Sequence, residues 1–138
     1  MKTTAFVIYS ILFLAVADHL QAQNYIGMHK DQIIETIKET EKQLKLNTST
    51  VNPHYNYLKY EDKINEITVL FFLSEDDMCT LVRKMCDYSN INEVVNELDE
   101  KYNSAGMNKW YYKENGQRYI VELTEEDWFF TVTTRMDK

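Results

Sequence analysis

One proline and three glycines in 138 residues leave no linker, no low-complexity tract and no glycine-rich phosphate loop. Metal-ligand spacings are missing as well. Two cysteines, Cys79 and Cys86, form no C-x-x-C pair, and His54 has no second histidine at i+2 or i+4. A cysteine nucleophile needs a histidine base to make thiolate, and His29 and His54 could reach Cys79 only through the fold. Positive charge is scarce: 15 Lys and Arg against 22 Asp and Glu give −7, with no basic stripe. Such a chain repels phosphate backbones, which argues against a nucleic-acid partner. The acidic runs Glu75-Asp76-Asp77 and Glu125-Glu126-Asp127 lack the alternating D-x-D-x-D-G ligands of a calcium loop and fall where hairpin turns are expected. Carboxylate pairs could be chosen anywhere among so many acids, so none marks glycoside chemistry. The expectation is a non-enzymatic protein with no metal and no cofactor.

Long apolar runs are also absent, except one. Met1-Lys2-Thr3-Thr4 leads into an apolar stretch over 5–17 interrupted only by Ser10, then into the polar exit Asp18-His19-Leu20-Gln21-Ala22-Gln23. A charged start, a short apolar centre and a small residue before the cut predict a cleavable signal peptide over 1–22. The run is shorter than the roughly 20 residues of a membrane span. Cleavage could follow Ala15-Val16-Ala17 or Ala22; the second is favoured, and Ala22-Gln23 resembles the signal ends of many Bacteroidetes exported proteins. No cysteine lies near either point, so a lipoprotein is not expected. The implied location is periplasmic or extracellular.

Residues 23–138 then make one domain. Ile33, Ile34, Ile37 and Leu44 mark a helix stripe over 31–44, and Ile91, Val94, Val95, Leu98 and Tyr102 mark a second. Asn90 with Glu93 reads as a capping pair for the second helix. Strands are expected over 55–60, 66–73, 78–86, 109–113, 117–123 and 128–136, with Asn115-Gly116 as a tight hairpin turn. The order α-β-β-β-α-β-β-β suggests an internal repeat of 23–88 and 89–138. Leu73-Ser-Glu-Asp-Asp-Met lies 50 positions before Leu123-Thr-Glu-Glu-Asp-Trp, whereas the helices sit nearer 60 apart. Cys79 and Cys86, on one strand, would lie about 23 Å apart on opposite faces, beyond the reach of a disulfide.

The segment Tyr25-Ile-Gly-Met-His-Lys-Asp-Gln-Ile-Ile resembles the entry to the first helix of the SmpA/OmlA group of small envelope proteins. The doubled α-β-β-β order resembles the β-lactamase inhibitory protein fold. This chain lacks the lipid-anchor cysteine typical of the first group. What the resemblance implies is protein binding across a curved sheet, with no individual functional residue carried over.

The fold expectation is α+β: an antiparallel sheet of about six strands with two helices on one face. Strand parity puts Ile67, Val69, Phe71, Leu73, Trp128, Phe130, Val132 and Met136 in the core. Two helices can cover only one face, which leaves Leu70, Phe72, Leu81, Tyr111 and Phe129 on the other. Fifteen aromatic residues outside the signal segment make that surface a candidate for binding a protein partner, or a second copy of the chain. The alternative is a carrier of a small apolar ligand, its cavity lined by Phe71, Trp110, Tyr112 and Trp128.

Overall fold

The computed structural model describes residues 24–49 and 52–138; the expected signal peptide, 1–22, lies outside the described residues. Helix α1 (Lys30–Thr40) is followed by β1 (Lys45–Leu46), β2 (Tyr57–Asp62), β3 (Ile67–Leu73) and β4 (Cys79–Asp87). A 3-10 turn (Tyr88–Asn90) leads into α2 (Ile91–Lys101), then β5 (Asn103–Gly106), β6 (Lys109–Glu114), β7 (Gln117–Glu125) and β8 (Phe129–Met136). The strands form one antiparallel sheet in the order β1-β2-β3-β4-β8-β7-β6-β5. Two runs of four strands therefore meet at the β4–β8 seam.

The class is α+β as expected, but with eight strands rather than about six. The two additional strands are the sheet edges. β1 has two residues, both exposed, and β5 reads Asn-Ser-Ala-Gly with every position exposed. Neither has a buried face, so neither carries the alternation that marks a strand.

Each helix covers its own half of the inner face. Ile33 and Ile37 of α1 are buried against Leu58, Tyr60, Val69, Phe71 and Leu73. Leu98 of α2 is buried against Trp110, Val121, Leu123 and Phe130. Aromatic edges lock the first lobe: Tyr25 and Tyr60 meet the Phe71 ring at 5.0 and 5.8 Å. In the second lobe the buried Trp110 Nε1 donates to Asp99 at 2.8 Å, which satisfies its only polar group.

Helix ends differ from the sequence reading. α1 stops at Thr40, where the Thr40 hydroxyl donates back to the Thr36 carbonyl at 2.8 Å, and Leu44 reaches the core from the following loop. The start of α1 is capped by His29: its Nδ1 accepts from Asp31 N–H while its own N–H donates to Gln32. Asn90 does precede α2, but its side chain makes no cap bond; Asp87 instead caps the preceding 3-10 turn through Ser89 N–H. The Asn115-Gly116 hairpin forms as the dipeptide requires, with φ of 51° and 78°.

The cysteines correct the parity argument. Phe72 pairs with Leu81 but Leu73 pairs with Cys79, so Thr80 is an extra residue in β4. This bulge flips Cys79 onto the helix side, and both thiols are buried on the same face rather than on opposite ones. They are unbridged. Burial raises the Cys79 thiol to about 11 and pushes Cys86 up as well, so both are protonated at neutral pH.

Candidate interaction face

Register determines which side chains share the helix-free face. Across the sheet, Tyr57, Phe72, Leu81, Arg135, Ile120 and Tyr111 stand opposite one another on successive strands. The next row contains Lys59, Leu70, Arg83, Thr133, Glu122 and Lys109. Neither helix lies over these rows, since the buried positions of both helices pack on the other side.

The five residues picked out by strand parity all fall on this face, and all five are half-buried. They are not one patch. Phe72, Leu81 and Tyr111 share the first row and Leu70 stands in the second. Phe129 pairs with Asp87 at the far end of β4, six residues along the strand from Leu81, or about 20 Å. Between these apolar positions stand charges that the sequence reading did not weigh. Arg83, Arg118 and Arg135 are the only arginines in the chain, and all three are on this face.

The arginines are organised by the aromatic rings and by each other's partners. Arg83 lies over Phe72 at 5.7 Å and donates to Thr133 at 3.2 Å. Arg118 lies over Tyr111 at 4.1 Å and pairs with Asp137 at 3.2 Å. Arg135 and Lys109 share Glu122 at 3.1 and 3.4 Å. Stacking of guanidinium on a ring leaves its edge donors free for a planar acceptor. Counted over the strands, this face bears seven cations (Lys45, Lys59, Arg83, Lys109, Lys113, Arg118, Arg135) and three acids (Glu61, Asp87, Glu122). With Asp137, which pairs with Arg118 just beyond β8, the face carries +3 in a chain of net −7, so the molecule is polarised from face to face. Register was needed to see this, yet the signal was in the sequence: Arg83 shares parity with Leu81, and Arg135 with Phe129.

Trp128 is not core. It sits in the β7–β8 turn at 84% exposed, because the strand begins one residue later and the alternation does not continue into the turn. Ile64 and Met107, at 90% and 93% exposed, occupy the β2–β3 and β5–β6 turns, which leave the sheet at the same end. Single apolar side chains spread along an edge are ordinary on a soluble surface. The acidic runs at 75–77 and 125–127 likewise lie in or beside the β3–β4 and β7–β8 turns.

On the helix side a cleft of about 260 Å³ opens over β3, β4 and β8, between the two lobes. Its origin is geometric. Eight strands at about 4.8 Å spacing span roughly 34 Å, whereas two helices about 10 Å across cover only some 20 Å of it. Phe71 and Tyr112 line the cleft; Trp110 is buried beneath α2 and Trp128 is in solvent, so only half of the expected aromatic lining is present. No protein-family model, characterised protein or solved structure matches the chain. Among the described residues no helix is long and apolar enough to cross a membrane.

Proposed function

We propose that the chain is an exported, non-enzymatic interaction module that binds a protein partner through the helix-free sheet face. The observation that carries this reading is the row Tyr57-Phe72-Leu81-Arg135-Ile120-Tyr111 on the sheet face that neither helix covers, in which half-buried aromatic and aliphatic side chains flank an arginine and only Ile120 is buried. Arg, Tyr and other aromatics are the residue types that most often dominate binding energy. Size agrees too: a face roughly 34 Å by 20 Å approaches the ~800 Å² per partner of a standard stable interface.

Charge selects among partners. Two +3 faces would repel if stacked on each other, which disfavours a two-fold face-to-face dimer of this chain and favours a different protein rich in carboxylates. Acidic groups on that partner would meet edge donors already oriented by Phe72 and Tyr111. We also read the two four-strand halves as copies of one unit joined at β4–β8. Burial supports this at an offset of 50: Val69, Phe71 and Leu73 correspond to Tyr119, Val121 and Leu123, all buried.

The test is the double substitution Phe72→Ser and Leu81→Ser. Both side chains are half-buried on the open face, so the fold should keep its melting temperature to within a few degrees. Partner affinity should fall at least about 30-fold, the loss of about 2 kcal/mol expected of one hot-spot residue. Tagged protein recovered from the exported fraction should carry a second polypeptide, and the double variant should not. A variant that retains the same polypeptide would sink the reading.

A further inference from the structure

The helix-side cleft carries chemistry of its own. Its floor is the centre of the sheet, where Lys84 on β4 stands between Val69 on β3 and Val132 on β8. Tyr25 walls it on the α1 side, and Tyr102 and Tyr112 wall it on the α2 side, stacked on each other at 4.8 Å. One basic side chain, that of Lys84, thus lines an apolar cleft with aromatic walls. Two carboxylates also line it, and both are held by neutral donors rather than by Lys84: the buried Asp62 accepts from Ile64 N–H, Asn65 N–H and the Asn65 amide, and Glu41 accepts from Gln43. Lys84 itself forms no ion pair among the described residues. Nearby, burial lowers the Lys101 ammonium, Glu97 opposes that shift, and the charge of Lys84 adds to it, so Lys84, Lys101 and Glu97 share the α2 side of the sheet.

A basic side chain that lines an apolar cleft and has no ion-pair partner in contact is a recognition element for an anion with a hydrocarbon body. We propose that this cleft binds a small apolar monocarboxylate, its carboxylate on the Lys84 ammonium and its hydrocarbon against Val69, Val132 and the tyrosine rings. The volume limits the guest. At about 30 Å³ per small heavy-atom group, taking liquid water as the measure, 260 Å³ holds roughly nine such groups. That fits a medium-chain fatty acid or an aryl acid, and is smaller than the sites of drug-sized ligands. The cleft lies on the opposite side of the sheet from the protein-binding face, so either site can fail without the other.

The experiment is a titration of the purified protein with octanoate and with 1-octanol, followed by amide chemical shifts. The expected result is saturable octanoate binding, with shifts centred on Val69, Lys84 and Val132, at least about tenfold tighter than octanol. Lys84→Met keeps the length and apolar body of the side chain, so it should retain octanol binding and erase the preference for octanoate. Val132→Phe, which fills the cleft, should abolish both. Equal affinity for acid and alcohol, a preference that survives Lys84→Met, shifts that map elsewhere, or no binding of either probe would each overturn the proposal.

Discussion

Phe130→Ala is expected to lower stability by about 3–5 kcal/mol, the range for emptying a buried aromatic position. Phe130 is fully buried at the junction of the seam and the α2 lobe: it pairs with Cys86 on β4 and Glu125 on β7 and packs in the cluster of Leu98, Trp110 and Leu123. Against a typical total of about 5–15 kcal/mol, the loss is a large share of what holds the domain together. At about 4 °C per kcal/mol it amounts to some 12–20 °C in melting temperature. Calorimetry on the two proteins checks this; a drop of only a few degrees would mean that the second lobe is loosely packed.

Charge reversal on the open face should act on binding and spare the fold. Arg83→Glu with Arg135→Glu changes the face from +3 to −1 and replaces guanidinium edges with groups that repel a carboxylate-rich partner. Partner affinity is expected to fall at least about 100-fold, which is about 2.7 kcal/mol. Association at low ionic strength should slow as well, because attraction between exposed charges steers encounter and is screened over about 10 Å at 0.1 M salt. The wild-type rate should therefore drop with added salt, while that of the reversed variant should not. Both arginines are half-buried on the surface, so thermal unfolding should change little. Equal binding by the reversed variant would remove charge from the account and leave only the apolar row.

Much of this architecture was legible because it obeys short-range rules. The stripe Ile91, Val94, Val95, Leu98 placed α2 to the residue at its start, and Asn115-Gly116 placed a hairpin whose φ values only such a pair readily adopts. β3 announced itself as Ile-Thr-Val-Leu-Phe-Phe-Leu. What could not be read is what depends on neighbours. β5 has no buried position and no large apolar side chain, and exists because β6 presents an open edge to it. Thr80 is unremarkable in sequence, yet as a bulge it decides which way Cys79 points. Trp128 continues an apolar parity one residue past the point where the strand begins.

The candidate face shows the same division. Parity alone selected Leu70, Phe72, Leu81, Tyr111 and Phe129, and all five share the helix-free face. Their grouping required the register, which separates Phe129 from the rest. The basic character of the face was hidden by averaging, since a chain of −7 reads as uniformly acidic until seven of its eight sheet cations are seen to share one side.

The most direct measurement places a photo-crosslinking residue at one position per variant, in protein expressed in its native cell. Leu70 and Thr133 report the open face; Glu39 on α1 and Glu100 on α2, both exposed, report the helix face. The account predicts one crosslinked polypeptide from Leu70 and Thr133 and none from Glu39 and Glu100. A partner captured from the helix positions, with nothing on the sheet, would contradict it.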